Sequence, residues 1–364
     1  MSTTALLFEP TTAGPLSLRN RIAMAPMTRS RAIDNIPNAL MREYYGQRNS
    51  AGLVISEGTS PSPEGLGYAR IPGLFTQVQA DGWREIADAV HAGGAKLVIQ
   101  LMHGGRIGHA LNLPAGAQLI APSAVAAEGL MWTDSEGMQP NGPPKAMDAS
   151  DLARVRSDYV RAAQMAIAAG ADGVELHAAN GYLLAQFLNP RSNVRHDQYG
   201  GTPDKRRRLL LEVVDAVSAA IGAERVGVRL SPFNAFNDLE VGFSGELAEV
   251  LGTVTELAAR RIGYLNLIAT ADAPATLVDQ VRAAFPGTLV LAGDYDRARA
   301  EAALAAGRAD VIAFGRPFIG NPDLPARLRQ NQPLAGFDSD KLYTAGAAGY
   351  SDYPAHTEQE AATV

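Results

Sequence analysis

The sequence predicts an α/β barrel, and three observations support the prediction. Eight short apolar runs rich in valine, isoleucine and leucine recur along the 364 residues, as expected of buried parallel strands. Most of them are followed by a segment with helical periodicity. No linker or composition shift divides the chain. Eight strand–helix units that close on themselves form the TIM (β/α)8 barrel, which commonly reaches this length as one domain, here residues 1–364.

The N-terminal part is predicted to be a hairpin followed by three strand–helix units. Apolar residues at 6–18 flank the turn signal Thr11-Thr12-Ala13-Gly14-Pro15, so we expect a hairpin that plugs one end of the barrel. Asn38 is a favourable N-cap for the first helix, and Gly93-Gly94 closes the second. The strands are expected at 21–26, 53–56 and 97–101, and the helices at 38–50 and 79–92.

Residues 104–147 interrupt the alternation. They are rich in Gly, Pro, Ala and Ser and show no clear periodicity. Connections of this length are usually functional or disordered. We therefore expect a long lid-like loop after strand 3 that faces the substrate.

The C-terminal part completes the barrel with five further strands. The helix at 148–169 begins at Ala149-Ser150-Asp151, which resembles a capped N-terminus. The strands are expected at 174–177, 226–230, 264–268, 288–292 and 311–314. The helices are expected at 205–221, 246–260, 277–285, 296–306 and 324–330.

Composition excludes several classes of function. The net charge of -6 and the pI of about 5.6 argue against nucleic acid and anionic membranes as partners. The basic run at 205–208 opens an apolar helix, which favours a solvated face or structural ion pairs. The absence of cysteine removes disulfides, thiolate metal sites and cysteine nucleophiles. Residues 1–10 lack a signal-peptide pattern and no apolar run spans a bilayer, so we expect a cytoplasmic protein.

The candidate active site centres on one strand end. The apolar run at 173–177 ends abruptly in polar residues, and His177, Asn180 and Tyr182 offer two hydrogen-bond donors and a weak acid within six residues. His177 alone is equally explained as a buried core histidine with satisfied hydrogen bonds. Because TIM-barrel sites lie at the C-terminal strand ends, the three residues together favour an active site.

Other strand ends suggest a flavin mononucleotide. Gly293 and Gly315-Arg316 end strands seven and eight, where many barrels bind phosphate, although ordinary turn glycines and a surface-paired Arg316 are the alternative. Gln100 can bond a planar amide-like edge, and Arg229 can face an electron-rich ring. No lysine ends a strand, which disfavours a Schiff-base aldolase, and no metal-ligand spacing is present. A glycosidase pair of Glu57 and Asp294 stays open, because sequence gives no carboxylate separation.

Seven motifs in one order resemble the Old Yellow Enzyme family, in the branch that includes N-ethylmaleimide reductase and pentaerythritol tetranitrate reductase. The resemblance covers nearly the whole chain. The motifs are LRNRIAMAPMTR at 18–29, ISEGT at 55–59, IQLMHGGR at 99–106, ELHAANGYLLAQFLNP at 175–190, DQYGG at 197–201, FGRPF at 314–318 and GYSDYP at 349–354.

The resemblance implies a role for each site residue. FMN would be bound by Ala25, Pro26, Met27, Thr28, Gly58, Gln100 and Arg229, with its phosphate on Gly293, Asp294, Gly315 and Arg316. The activating oxygen of the substrate would bind His177 and Asn180, and Tyr182 would donate the proton. Tyr68, Met102 and Tyr343 would line the substrate space. Met102 and Leu342 stand where many relatives carry tryptophan and phenylalanine, which bears on substrate range.

The resemblance implies an FMN-dependent NAD(P)H ene-reductase. Its substrates would be enones, maleimides, nitroalkenes and, as a further class, nitrate esters, reduced by ping-pong hydride transfer from flavin N5. Two alternatives stay open: a barrel lyase or aldolase that uses the same phosphate site, and a flavin-binding module without turnover. The sequence does not give the physiological substrate, the stereoselectivity, the choice between NADH and NADPH, or whether the protein is a monomer or a homodimer.

Overall fold

The eight predicted apolar runs pair as parallel strands and close into a barrel. The computed structural model describes residues 5–356. Residues 1–4 and 357–364 lie outside the described residues. The predicted domain, 1–364, and the stretch considered for a signal peptide, 1–10, are therefore described only in part. The order around the barrel starts at the strand that carries His177, runs through the four strands that follow it, and returns through the three that precede it. This confirms the predicted fold class.

The strands are bounded as follows. They are β1 Thr11–Ala13, β2 Leu16–Leu18, β3 Ile22–Met24, β4 Leu53–Ile55, β5 Lys96–Leu101, β6 Ile120–Ala121, β7 Leu130–Thr133, β8 Gly137–Pro140, β9 Lys145–Ala146, β10 Gly173–His177, β11 Val226–Leu230, β12 Tyr264–Ile268, β13 Thr288–Ala292 and β14 Val311–Phe314. The barrel consists of β3, β4, β5 and β10 to β14, and the last four barrel strands coincide with their predicted bounds.

The helices are bounded as follows. They are α1 Ala39–Gly46, α2 Gln77–Ala92, α3 Ala149–Ala168, α4 Leu183–Leu188, α5 Pro203–Ile221, α6 Glu246–Ala259, α7 Leu277–Ala284, α8 Arg297–Ala305, α9 Pro317–Gly320 and α10 Leu324–Gln330. Short 3-10 turns lie at Leu6–Phe8, Ile33–Asn35, Pro63–Gly65, Ala110–Asn112, Ala223–Arg225 and Ser339–Lys341. Among residues 5–356, none of the helices is both long and apolar enough to span a bilayer.

Side-chain caps set the starts of several helices. Asn38 accepts hydrogen bonds from the backbone N–H groups of Leu40 and Met41, as its position predicts. Asp148 and Asp151 form a reciprocal capping box at α3. The predicted start of α2 at residue 79 was wrong by two residues, because Thr76 is the N-cap and Gln79 completes its box.

The β1–β2 hairpin closes the N-terminal end of the barrel, as predicted. Ala13, Leu16 and Leu18 pack in one buried cluster with side chains of the barrel strands. The turn requires glycine at position 14, which has φ +57° and whose added Cβ would lie 2.7 Å from the carbonyl oxygen of Glu224. The site must therefore lie at the opposite, C-terminal end of the strands.

The long connection after β5 has more regular structure than its composition predicts. Strands β7 and β8 pair as an antiparallel hairpin, and β6 pairs with β9. The side chains of β7 alternate between exposed and buried, which is the pattern of a strand that covers a surface. Thr133 closes the turn by accepting from the Glu136 N–H and donating to the Gly137 carbonyl oxygen.

The basic run at 205–208 is at least partly a set of structural ion pairs. The buried Arg206 pairs with Glu249 on α6, and Arg207 pairs with Asp204 at 2.7 Å. The first pair joins α5 to α6 and the second lies within the first turns of α5, which agrees with the structural interpretation of the run.

Candidate active site

The strand-end residues meet around one cavity at the C-terminal end of the barrel. The cavity encloses about 380 Å³, within the usual range of small-molecule sites. Eleven of the predicted site residues line it: Pro26, Thr28, Gly58, Tyr68, Gln100, Met102, His177, Asn180, Tyr182, Arg229 and Tyr343. The parallel register explains the convergence, because His177 pairs with Arg229 and Glu175 pairs with Gln100 on adjacent strands.

His177 is a neutral hydrogen-bond donor at the end of β10. Its Nδ1 accepts from the Ala179 backbone N–H at 3.3 Å, which assigns the proton of the neutral ring to Nε2. Burial, and to a lesser extent the charge of Arg229, hold the pKa of His177 well below its usual value. The imidazole also packs edge-on against Tyr182, with ring centroids 4.8 Å apart.

Asn180 is held in a left-handed backbone conformation, with φ +54°, by a loop that follows β11. Its N–H donates to Ser231 Oγ at 2.7 Å, and its carbonyl oxygen accepts from Asn237 Nδ2 at 2.8 Å. Asn234 Nδ2 donates to Asn180 Oδ1 at 3.2 Å. The side-chain oxygen of Asn180 is therefore occupied, and its Nδ2 is the group left to donate to a ligand.

The phenol of Tyr182 keeps its proton at neutral pH and above. Its hydroxyl lies 3.1 Å from that of Tyr68, and burial is the main cause that raises the pKa of Tyr182 well above 10. The Asn237 side chain partly opposes the rise in the pKa of both tyrosines. A buried phenol with a raised pKa keeps its proton through the physiological range and can give it to a more basic centre.

A buried carboxylate orients the floor of the cavity. Glu175 lies inside the barrel and accepts hydrogen bonds from Gln100 Nε2 at 2.7 Å, Tyr264 Oη at 3.0 Å and Asn266 Nδ2 at 2.9 Å. The Gln100 amide is thereby fixed in one orientation. Sequence reasoning gave Glu175 no role, although a charged residue two positions before His177 in a buried strand shares its face.

Arg229 retains unused hydrogen-bonding capacity. It is buried, and its Nε has no hydrogen-bond partner among residues 5–356. A buried guanidinium N–H without a partner is costly, so it indicates a missing acceptor. A flavin pyrimidine edge, rich in oxygen and nitrogen acceptors, fits Arg229 and the fixed Gln100 amide.

The predicted phosphate residues lie outside this cavity, directly after the adjacent strands β13 and β14, and are called the cradle below. Within the described part of the chain, the backbone N–H groups of Gly293, Asp294, Gly315 and Arg316 donate to no protein acceptor. The exposed Arg316 forms no ion pair there, which argues against the surface-paired alternative. The Asp294 carboxylate pairs with Arg299 at 3.5 Å, so only its backbone is suited to an anion.

Ala25 and Met27 connect the cradle to the cavity. An added Cβ on Gly315 would lie 3.7 Å from Met27 Sδ and 3.8 Å from Ala25 Cβ. Both residues neighbour Pro26, which lines the cavity. The donor set of the floor and of the cradle therefore fits one FMN, with the ring system in the first and the phosphate in the second.

Met102 lines the cavity but is tightly packed. It is fully buried, and a Cβ added at Gly58 would lie 2.4 Å from Met102 Sδ. It belongs to a cluster with Met131 and Tyr182. Met102 is therefore part of the cavity wall and lies close against Gly58.

The carboxylate pair considered from the sequence does not share the cavity. Glu57 is buried, where its carboxylate accepts from Tyr45 Oη and from the Arg29 backbone N–H. Asp294 is fully exposed. Neither residue lines the cavity, so the glycosidase interpretation is wrong for this site.

Sequence reasoning missed the residues that surround the mouth. Ser30, Ala69, Arg70, Leu130, Met131, Trp132, Met138 and Phe236 also line the cavity. Four of these come from the β7–β8 hairpin, whose alternating apolar residues were the available signal. The loop residues that contact Asn180 had no comparable signal in the sequence, apart from being polar residues that follow β11.

Comparisons with known proteins agree with the geometry. A sequence model of the NADH:flavin oxidoreductase / NADH oxidase family matches residues 6–335. The chain is 40% identical over 356 residues to a probable flavin mononucleotide-dependent alkene reductase of Leishmania infantum, which covers 96% of this chain and 97% of that protein. It is 37% identical over 375 residues to 12-oxophytodienoate reductase 7 of Oryza sativa subsp. japonica, with 96% and 94% covered.

Solved structures of similar proteins share the fold over most of the chain. Morphinone reductase in complex with tetrahydroNAD superposes with a TM-score of 0.91 at 44% identity, covering 96% of this chain and 97% of that one. The old yellow enzyme homologue from Zymomonas mobilis superposes with a TM-score of 0.91 at 41% identity, covering 96% and 99%. The chain therefore belongs to the NADH:flavin oxidoreductase / NADH oxidase family, the Old Yellow Enzyme family that its motifs resemble.

Proposed function

We propose that the protein is an FMN-dependent NAD(P)H ene-reductase that reduces the activated C=C bonds of enones, maleimides and nitroalkenes. Nitrate esters, which are reduced at the nitrate group, are proposed as a further class of substrate. One observation carries the proposal: two neutral donors and a protonated tyrosine, His177, Asn180 and Tyr182, face the same cavity as Gln100 and Arg229. The relatives support it, since one is named an alkene reductase and another was solved with tetrahydroNAD.

The residues divide the chemistry among them. When bound, FMN supplies the hydride chemistry, taking a hydride from NAD(P)H and giving it to the alkene. Backbone at Ala25, Pro26 and Met27, together with Thr28, Gly58, Gln100 and Arg229, would hold its ring system. Gly293, Asp294, Gly315 and Arg316 would hold its phosphate by backbone N–H groups and one guanidinium.

The substrate oxygen would accept hydrogen bonds from His177 Nε2 and Asn180 Nδ2. Both donors are fixed before the substrate arrives, so they stabilise negative charge on that oxygen without reorganisation. Tyr182 would deliver its phenolic proton to the carbon beside the activating group. Because oxidant and reductant would occupy one cavity in turn, turnover would be ping-pong.

The test is whether the purified protein binds FMN and cycles it. Anaerobic NADPH or NADH should bleach the flavin absorbance, and 2-cyclohexenone or a nitroalkene should restore it with formation of the saturated product. A colourless protein that does not take up FMN would overturn the proposal. Flavin that binds but stays oxidised would indicate a binding module, and turnover of a phosphorylated substrate without flavin would indicate a lyase. The cytoplasmic location stays a prediction.

A further inference from the structure

The mouth of the cavity is surrounded by exposed apolar side chains. Leu130 is 59% exposed, Trp132 51%, Met138 53%, Phe236 55% and Tyr343 60%. All five line the cavity, and together they are called the apolar rim below. Large apolar side chains scattered singly need no explanation, but five around one opening indicate a binding surface.

The apolar rim is held in place by a polar network beneath it. Arg70 donates to the backbone carbonyl oxygens of Ser30 at 3.0 Å and Tyr343 at 2.8 Å, and it pairs with Asp134 at the hairpin turn. Asp134 in turn accepts from Trp132 Nε1 at 3.1 Å. The hairpin, the C-terminal segment and the loop after β3 are thus joined at one guanidinium.

Polarity changes from the floor of the cavity to its mouth. Of the groups that would act on the activated end of the substrate, His177 and Tyr182 are buried and Asn180 is half-buried, whereas the apolar rim is exposed. The charged groups at the mouth, Arg70 and Asp134, neutralise each other. A ligand whose polar end occupies the donors must therefore present an uncharged, apolar remainder to the rim.

The size of the cavity leads to the same conclusion. About 380 Å³ lies near the lower end of the ~300–1,000 Å³ typical of small-molecule sites, and the residues expected to hold the flavin share it. A substrate of one ring would fit below the rim. Anything larger must extend across the apolar rim.

We propose that the apolar rim is an outer subsite for the hydrocarbon remainder of the substrate. The preferred substrates are then enones or nitroalkenes that carry a fused ring system or a long hydrocarbon chain, rather than single-ring compounds. This inference rests on the proposed function, because it assigns the other end of the same substrate to His177, Asn180 and Tyr182.

The kinetic test compares a bulky and a small substrate in the FMN-loaded enzyme. Relative kcat/KM for a steroidal 4-en-3-one and for 2-cyclohexenone is measured in wild type and in Trp132→Ser. Loss of one large apolar contact should lower the bulky-to-small ratio about tenfold or more, with most of the loss in kcat/KM for the steroid. Leu334→Ser is the control, because Leu334 is also exposed but does not line the cavity.

The outcomes separate the two proposals. An unchanged ratio in Trp132→Ser, or an equal fall in Leu334→Ser, would overturn the outer subsite while the enzyme still reduces 2-cyclohexenone. Failure of wild type to reduce either compound would overturn the proposed function itself.

A binding measurement uses the two tryptophans of the chain and needs no turnover. Trp83 is fully buried and Trp132 is half exposed, so acrylamide quenching reports mainly on Trp132. A saturated steroid ketone should protect the holoenzyme from quenching, whereas cyclohexanone should not. The Trp132→Phe variant, which keeps only Trp83, should show no protection.

The main competing occupant of the apolar rim is a second copy of the chain. Protection of Trp132 that grows with protein concentration in the absence of ligand, with a matching increase in sedimentation coefficient, would reassign the rim to a dimer interface and overturn the subsite. Lack of protection by the steroid ketone would overturn it as well.

Discussion

At the scale of single residues, Tyr182 combines a buried hydroxyl with a raised pKa. We predict that Tyr182→Phe leaves flavin reduction by NAD(P)H nearly unchanged and slows enone reduction about 10²-fold or more, because general acid catalysis contributes that much. Stopped-flow measurement of the two half-reactions checks it. For nitroalkenes, only the protonation of the product should be lost, because the nitronate formed by hydride transfer can leave the enzyme unprotonated. Equal loss in both half-reactions would indicate a structural tyrosine.

Asn180 depends on a residue far along the chain. Asn234 occupies its side-chain oxygen and so presents Nδ2 to the cavity. We predict that Asn234→Ala raises the enone KM about three- to tenfold, because one hydrogen bond of about 1 kcal/mol no longer orients the amide. In the Asn180→Ala background the same substitution should have no further effect. Additive losses in the double variant would show that Asn234 acts elsewhere.

At the scale of elements, one guanidinium fastens the β7–β8 hairpin. Arg70 is mostly buried and makes two carbonyl contacts besides its ion pair, whereas Asp134 is half exposed. We predict that Arg70→Met speeds amide hydrogen exchange both in residues 130–140 and around Tyr343, because it removes the ion pair to the hairpin and the hydrogen bond to the Tyr343 carbonyl oxygen. Asp134→Asn should have a smaller effect that is confined to the hairpin, because the amide oxygen can still accept from Arg70 and an exposed ion pair contributes only about 0–1 kcal/mol. Exchange measured by mass spectrometry that rises equally across the barrel would contradict a local role.

The secondary-structure elements differ in how accurately the sequence predicted them. Strands β11 to β14 were predicted to the residue, because continuous runs of apolar residues bounded by polar ones are unambiguous in a parallel barrel. The β7–β8 hairpin was missed because its alternation covers only four residues in each strand amid Gly and Pro. A local pattern therefore reveals a long, buried element, but it does not reveal a short strand that is stabilised mainly by the surface it covers.

The same limit applies to the site. His177, Asn180 and Tyr182 lie within one local motif, so the sequence pointed to them together. Ser231, Asn234 and Asn237 contact Asn180 across 51 to 57 residues, and no periodicity records such a contact. The register of β10 against β5 likewise makes Glu175 a partner of Gln100, which only the closed barrel shows.

At the scale of the whole molecule, buried charges hold the C-terminal segment against the barrel. Arg29 and Arg31 donate to backbone carbonyl oxygens between residues 341 and 349, the stretch that carries Tyr343. Glu57 lies beside them, in contact with the Arg29 N–H and Tyr45 Oη. The wall of the cavity therefore depends on a cluster of ionisable groups that water does not reach.

Burial is the main cause that raises the pKa of Glu57 from its usual 4.5 to about 7, although the Arg29 N–H and Tyr45 oppose it. Below pH 4.5 both folded and unfolded chains bind the proton, so Glu57 contributes no pH dependence. Between pH 4.5 and about 7 only the folded chain holds it, so rising pH lowers stability. The full loss is about 3 kcal/mol above pH 7, at about 1.4 kcal/mol for each pH unit.

In wild type, Glu57 should lower the free energy of unfolding as the pH rises from 5 to 7. We therefore predict that Glu57→Gln, which mimics the neutral acid, abolishes this contribution. Urea unfolding at pH 5, 6, 7 and 8 gives the free energies of unfolding to compare. The variant should match wild type at pH 5 and exceed it at pH 8, because a buried charge no longer has to form. The exposed Glu136→Gln is the matched control and should follow wild type. A variant less stable than wild type by the same amount at every pH would show that Glu57 is a carboxylate when folded, held by the neighbouring arginines.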